Sequence, residues 1–572
     1  MMDRKKRNNI PTHEQIIKNF EKGCAFNEQI GLFDQVTVNE NFFIGNQWEG
    51  VEANGLPTPT YNMFKRVVNF QVSTITSDNL VIRAIPMPST SSMTIKELER
   101  IANIVSQQFA AIVKRNRLVA KNREFLRNAA VTGDGCMHFY FDPSIENGQD
   151  VKGEIVAEVI DNLRVMFGNP NCRDVQAQPY IMIYRREIAE EVRYRAEEYK
   201  EAGFCKIDDI ESIKPDSEKF TNKYDSYTDD KVTVITYYFR NRETKTIWCI
   251  EATEQGILRE AYDTEYTLYP LVWINWDYIR DCYHGQAMVT GLLPNQKFIN
   301  KMFALVSISQ LTTSFPKIIY DRTRINKWDG GVGTAVGVQG NVNDVAKVLE
   351  GANLSPQIAQ FIEMAFGKTH ELLGASDVAM GNSRPDNTSA IIALQRAANT
   401  PMELTKQNDH QQLEDAGRIF MDIMSVRYGT RMVETTMDMD EVGEQPLGME
   451  LPAQTFMVPF DFSQLRDIHL TIEQEVGASS YWSEMASMQT LDNLLMNNLI
   501  TPEQYIERLP NGYINKKEEL LADLRAAKAA AATPPPVDTG TNMSVETTSE
   551  DIPVEGGSGN ASLQRALNRE GA

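Results

Sequence analysis

Cysteine and histidine are scarce, with six of each in 572 residues. The cysteines (Cys24, Cys136, Cys172, Cys205, Cys249 and Cys282) stand far apart and form no C-x-x-C pair. That spacing argues against a zinc ribbon or a dense disulfide framework and fits reduced thiols. The histidines show no H-E-x-x-H spacing, so no helix presents a zinc-protease pair. Long apolar runs are missing too. The best, "MFALVSISQL" at 302–311, falls short of the roughly 20 residues that cross a bilayer and is broken by serines. The start, "MMDRKKRNNIPTHEQ", is basic but lacks the apolar segment of a secretion signal, so synthesis in the cytosol is expected. Positive charge is in deficit: 57 Lys and Arg face 78 Asp and Glu, a net −21. A protein that grips DNA usually carries a basic face. This chain repels DNA on average, which disfavours a tight binder but not a passage through which DNA slides.

What is present is enough for three or four ordinary domains by length, with an apolar share of 42% to build their cores. Residues 12–46, 62–82 and 94–130 read as helices, separated by the turn-rich "NGLPTP" at 54–59. In the third, Leu98, Ile101, Val105, Phe109, Ile112 and Val113 recur at spacings of three and four, an apolar stripe. Its end is basic (Lys114 to Arg127), which reads as a solvated or intersubunit face, with nucleic-acid or capsid contact as the alternative. "TGDG" (132–135) stops it. Strand-like runs follow at 136–141, 155–160, 163–168, 180–185, 232–239, 246–251 and 269–276, rich in β-branched and aromatic residues. A helix at 187–202 and a charged loop at 204–230 interrupt them.

From Gly285 to Thr313 the helical period returns, with Phe298, Met302, Leu305 and Ser309 on one side and Lys297 and Lys301 on another. Phe315-Pro316 ends it, because a residue before proline disfavours helical angles. A short β-like stretch with Lys317, Arg322, Arg324 and Lys327 follows, then the glycine-rich "GGVGTAVGVQG" (330–340). Ser355 and Pro356 are a good cap and first position for the next helix, to Leu373. The loop "AMGNSRPDNTSA" (379–390) leads into a helix to about Tyr428, with Pro401 inside it as an expected kink. Residues 450–475 read as β-like, and 480–508 and 515–532 as helical. The Pro, Thr, Ser and Gly-rich stretch from Thr533 reads as disordered.

The chemistry motifs fail on inspection. "GKT" (367–369) lacks the glycine five positions earlier that a phosphate loop needs, since Ile362 stands there. "GVGTAVG" (331–337) has the wrong spacing for a dinucleotide fingerprint. "DMDEVGE" (438–444) puts Val442 and Met449 where a calcium loop needs oxygen ligands. No nucleophile elbow is present, so catalysis is not expected and neither is a cofactor.

The pieces and their order resemble tailed-bacteriophage portal proteins. "ENFFIGNQWEG" (40–50) with "GLPTPTYNMFKRVVNF" behind it, "DNLRVMFGNPNCRDVQAQPYIMIYRR" (161–186), "YPLVWINWDYIRDCYHGQAMVTGLLPNQKFINK" (269–301) and "NTSAIIALQRAANTPMEL" (387–404) carry the likeness. The implied fold is α+β. It comprises an N-terminal wing (1–284), a stem helix (285–314), a clip (315–350), a second stem helix (351–374), a tunnel loop (375–389) and a returning wing segment with a long kinked helix (390–479). Crown helices (480–532) and a disordered tail (533–572) complete it. The resemblance implies a ring, usually of twelve subunits, at one capsid vertex, assembled in the host cytoplasm. Double-stranded DNA passes through it, driven by the terminase large subunit, and a head–tail adaptor docks later. Major capsid and scaffolding proteins are further expected partners; a membrane is not.

Carried onto residues, Arg384 with the amides of Asn382 and Asn387 would touch passing phosphates without sequence preference. Lys297 and Lys301 would form rings of charge in the channel, or pair with acids of a neighbouring subunit. Lys317, Arg322, Arg324 and Lys327 would meet the motor or adaptor, or staple adjacent clips. The apolar stripes at 298–305 and 361–366 are expected to pack between subunits. Another virion structural or adaptor protein is the rival reading, and a nucleic-acid-processing enzyme a more distant one.

Overall fold

The computed structural model describes residues 10–77, 80–87, 94–207, 209–216, 230–314, 317–325, 345–349, 356–372, 400–436, 455–474, 481–497, 499–509 and 520–521, with isolated positions 327, 338, 341 and 343. It is an α+β protein that divides into two units, residues 1–483 and 484–572.

The first unit opens with α1 (His13–Gln29) and α2 (Leu32–Ile44). Thr12 caps α1 and Gln15 answers back to the Thr12 backbone, a reciprocal box that satisfies two orphan donors. α3 (Met63–Ile75) is shorter than the sequence suggests. The Thr76 hydroxyl takes the carbonyl of Val72, the chain turns, and Ile82–Pro86 becomes strand β1. α4 (Ile95–Arg115) starts at Thr94 with another capping box to Glu97 and buries its expected stripe. It does not run on to 130. Asn116 leaves the helix, Arg117 adopts a left-handed φ of 51°, and α5 (Leu118–Thr132) begins anew.

The break has a reason in β3 (Glu154–Ile160). That strand is an edge of the three-stranded sheet, ordered β3-β2-β9 with β2 at Asp134–Asp142 and β9 at Leu271–Asn275. Its unpaired backbone groups need partners. Asn116 supplies them: its Nδ2 donates to Ile155 O (2.8 Å) and its Oδ1 accepts from Ala157 N (2.9 Å). Lys121 donates to Ala157 O alongside.

The second sheet is a five-stranded antiparallel meander of β4 (Val165–Phe167), β5 (Tyr180–Ile188), β6 (Lys231–Arg240), β7 (Ile247–Ala252) and β8 (Ile257–Asp263). Alternate residues of β6 face opposite sides, as the pleat requires. Ile235, Tyr237 and Phe239 join Ile16 and Cys24 of α1, whereas Val232 and Val234 join Val192 and Ala196 of α6 (Ala189–Glu201). The meander is therefore covered by a helix on each face.

The largest core lies between α3, α4, α5, the three-stranded sheet and α9 (Glu403–Arg427). α9 presents Leu413, Ala416, Ile419, Phe420, Ile423 and Met424 at helical spacing. Phe420 stands edge-on to Phe139 with centroids 4.9 Å apart. Each such side chain stabilises the fold by about 1.5–3 kcal/mol relative to exposure. Gly417 lets α9 approach the pair β1 and β14 (Leu470–Gln474), since a Cβ there would sit 2.7 Å from Ile472 Cγ2 and 2.9 Å from Ile82 Cγ2. β12 (Thr430–Thr436) and β13 (Thr455–Asp461) form a further hairpin. Buried Glu154 ties it to β3 by pairing with Arg431 (3.2 Å) and accepting from the Tyr428 hydroxyl (3.1 Å).

The second unit holds most of α10 (Tyr481–Met496) and α11 (Pro502–Arg508). Thr501 caps α11 with Pro502 at its start, and Tyr505 donates to Asp492 Oδ1 (2.6 Å). Of the expected helix at 515–532 only residues 520–521 are described, both helical; the expected disordered tail lies outside the described residues.

One buried histidine gives this fold a pH dependence. His138 on β2 sits with Arg185 Nη2 3.3 Å from its Nδ1 and the Tyr238 hydroxyl 3.1 Å from its Nε2. A guanidinium only donates, so Nδ1 accepts and Nε2 carries the hydrogen. Burial, aided by the Arg185 charge, brings the imidazole down to about 3. The unfolded value is about 6.5, so the unfolded chain takes up a proton that the folded chain refuses. Stability from the neutral ring is fully present above about pH 6.5 and drains as pH falls toward 3, by about 1.4 kcal/mol per unit. Histidine-ring NMR is expected to show His138 still neutral at pH 5; a midpoint near 6.5 would contradict the burial argument.

Candidate functional site

The helix that leaves the N-terminal body starts three residues later than its period suggests. Gly285 is held by its neighbours rather than by helix: its N–H donates to Asp134 Oδ1 at 2.7 Å. Gln286 forms a bridge with Asp277. A Cβ on Gly285 would lie 2.7 Å from both Asn275 Cβ and Asp277 O, so the bend needs a glycine. Helix α7 then runs Met288–Ser314 and stops where Phe315-Pro316 forces it to.

The first half of α7 is anchored by amides. Asn39 Nδ2 reaches Thr290 Oγ1 at 2.8 Å and Val131 O at 2.9 Å, and Gln35 Nε2 reaches the same hydroxyl at 2.9 Å. Pro294 sits inside the helix and brings no N–H for the Thr290 carbonyl one turn back. Two turns on, buried Asn300 donates to Gln47 Oε1 (2.6 Å) and accepts from Gln296 Nε2 (2.9 Å). Tyr61 stacks on Phe303 with centroids 4.6 Å apart. None of these anchors was legible in the sequence, because amides carry no period.

The outer half differs in kind. α7 packs beside α8 (Pro356–Leu372), and Phe298 stands edge-on to Phe361 at 5.8 Å. Yet Phe298, Leu305, Leu311, Phe361 and Met364 remain exposed. Between the helices, β10 (Lys317–Tyr320) and β11 (Ala346–Leu349) form an antiparallel ribbon. Ile325 and Val345 are buried under it, and Asp321 closes its turn by accepting from Thr323 N (2.9 Å) and Oγ1 (2.6 Å). Those bonds hold the Asp321 carboxyl below its usual range.

The expected site residues fall into four groups. Lys297 and Lys301 are exposed on α7, and neither has an ion-pair partner among the described residues. Lys297 Nζ lies 5.5 Å from the Phe42 ring centroid. On the ribbon, Lys317 pairs in register with Leu349, Arg322 and Lys327 are exposed, and Arg324 Nε lies 3.5 Å from Asp321 Oδ2. Asn382, Arg384 and Asn387 lie outside the described residues. Pro401 sits in a 3-10 turn (Thr400–Met402) directly before α9, and the residues ahead of Thr400 that would show a kink also lie outside.

Chemistry finds little purchase here. Gly367, Lys368 and Thr369 are helical in α8, and the Thr369 hydroxyl donates to Ala365 O at 2.7 Å, so the segment cradles no phosphate. Burial pushes the Cys249 thiol up to about 12 and Cys136 well above its usual value, which makes both poor nucleophiles.

An α+β body that sends out a paired-helix arm, anchored by buried amides and apolar at its exposed end, is the layout of an assembly component. Comparison with known families gives the component its place. The phage P22-like portal protein family matches residues 28–251 and 179–450. These matches span most of the chain, and the chain belongs to that family. It is a phage portal protein, a structural part of the virion that serves DNA packaging. No curated protein matches the chain.

The anchor is testable. Asn300→Leu keeps the branched shape but leaves the Gln47 and Gln296 amides without their shared partner. Orphaned buried groups cost about 1–3 kcal/mol each, so thermal melting is expected to begin several degrees lower. Protease cleavage should gain a site near the base of α7.

Proposed function

We propose that this chain closes into a ring, of twelve copies on the family pattern, through which double-stranded DNA is packaged and ejected at one capsid vertex. The supporting observation is the apolar surface of the arm: Leu305 is 54% exposed, Ile319 58%, Phe361 50% and Met364 60%. Water-facing apolar area forfeits about 25 cal/mol per Å², and a contiguous exposed patch marks an interface. A ring supplies the cover, because each arm meets a neighbour on both sides.

In this reading residues 1–284 and 390–479 form the wing, with Pro401 at the kink of its long helix. Residues 285–314 and 351–374 form the stem, 315–350 the clip, 375–389 the tunnel loop, 480–532 the crown and 533–572 a disordered tail. Lys317, Arg322, Arg324 and Lys327 lie at the clip, where the terminase large subunit and then the head–tail adaptor dock. Scaffolding and major capsid proteins surround the wing during assembly in the host cytoplasm. Arg384, with the amides of Asn382 and Asn387, lines the narrowest passage, and Lys297 and Lys301 add rings of charge above it. The net charge of −21 keeps DNA from sticking, while the local cations guide it.

Two measurements test this. Negative-stain images of the purified chain are expected to show face-on rings with a central hole; monomers or open sheets would sink the reading. Arg384→Ala is expected to leave those rings intact while lowering DNA retention in filled heads several-fold. If the substitution prevents ring assembly, the loop is structural.

A further inference from the structure

The N-terminal body carries a second place where positive charge is concentrated, far along the chain from every residue assigned above. A groove of about 690 Å³ lies between α1 and the β6–β7 turn. Lys18 and Lys22, one helical turn apart on α1, form one wall, and Arg240, Arg242 and Lys245 form the other. No carboxylate of the described residues lines it. Glu14, Glu21 and Glu243 are near in sequence but are exposed and outside the lining. None of the five cations has an ion-pair partner among the described residues. In a chain with 21 more acids than bases, that is a marked local reversal.

The groove is built, not merely bare. Arg240 is held over the Tyr269 ring (5.6 Å to the centroid) and donates from Nη2 to Thr267 O at 3.3 Å, while its buried Nε has no partner. Lys245 occupies a left-handed φ of 60°, where glycine or asparagine would sit more easily. The floor is apolar: Ile10, Pro11 and Pro179, part-exposed or exposed, lie with the nearly buried Tyr237 and Phe239. Asn19 Nδ2 donates to the Tyr237 hydroxyl at 3.2 Å, and Tyr180 stacks on Tyr237 at 5.0 Å, so the floor is fixed.

We infer that this groove docks an acidic, extended polypeptide segment of a partner protein, its carboxylates on the two basic walls and its small apolar side chains on the floor. Nucleic acid fits less well. Single strands bind by stacking bases on exposed aromatic faces, and here Tyr237 and Phe239 are only 3% and 6% exposed, with rings tilted 51° to each other. A peptide with alternating acidic and apolar residues matches both the charge and the floor.

The test uses the full chain and a fluorescein-labelled dodecapeptide alternating glutamate with valine, followed by anisotropy at low and at physiological salt. Saturable binding that weakens with salt is expected. Lys18→Glu with Lys245→Glu should weaken it at least tenfold, while Lys18→Arg with Lys245→Arg retains it. Both lysines are exposed, so melting curves and ring images should match the unsubstituted chain. Three results would overturn the inference: equal peptide affinity in the charge-reversed variant, displacement of the peptide by a short DNA duplex that binds more tightly, or loss of rings in the variant, which would make the groove a contact between copies. Because rings are read separately, failure here leaves the portal reading standing.

Discussion

The carboxylate of Asp134 is cut off from water and spends its acceptor capacity on four neighbours. Asn275 Nδ2 and Gly285 N reach Oδ1 at 2.7 Å each, and Asn162 Nδ2 and His284 Nδ1 lie 3.2 and 2.6 Å from Oδ2. Through His284 Nε2 the chain of contacts extends to Asn27 Oδ1 on α1, at 3.2 Å. One side chain thus joins the first helix, two strands of the central sheet, the connection between the sheets and the bend into α7. A buried carboxylate is tolerable only when so fully bonded, and removing a partner leaves a charge with nowhere to go. The direction in which the arm leaves the body is fixed by this constraint.

The arm itself follows the opposite logic. Its base is polar and buried, where Asn39, Gln47, Gln296 and Asn300 bond to one another and to backbone. Its outer half is apolar and exposed. In a self-sufficient domain the two would be exchanged, with apolar groups in the joint and polar groups in water. Buried amide networks contribute modest net stability but specify geometry, because any other arrangement orphans a donor. The base therefore sets an angle and the tip supplies adhesion, as a subunit must when many copies have to meet at one fixed angle.

The sequence made some of this legible and hid the rest for identifiable reasons. Periodicity found α4, α7 and α8, and β-branched runs found β2, β3, β5, β6, β7 and β9, since those signals arise within the segment itself. The split at Asn116 was hidden because Asn116 answers an edge strand 40 residues away in sequence. Strand β1 went unread, with only its first residue Ile82 placed at the end of a helix, because its partner β14 lies nearly four hundred residues on. β8, "ILREAYD", lacks alternation and owes its existence to β7 beside it. For the site, Lys297, Lys301, Arg322 and Lys327 stand exposed. The cationic groove escaped notice because Lys18, Lys22, Arg240, Arg242 and Lys245 form two ordinary-looking pieces of sequence that only the sheet brings together.

Charge is where these threads meet. Most arginines of the body are committed internally: Arg115 and Arg431 to Glu154, Arg185 to Glu158, Arg186 to Asp216 and Arg195 to Glu187. Exposed cations with no ion-pair partner among the described residues stand on the arm, in the groove and around the junction of α4 and α5 (Lys114, Arg117 and Arg123). Exposed ion pairs contribute little to stability, so leaving these cations unpaired costs the fold almost nothing. Their effect is on what approaches, because a small positive region on an acidic protein focuses field where a uniformly basic surface would bind everything. On the proposed reading, a duplex moving past such a protein meets repulsion broken by attractive belts, and a partner with a short acidic segment meets a groove that accepts it. Acidity on average and basicity at a few sites are then one design, since the first is what allows the second to be specific.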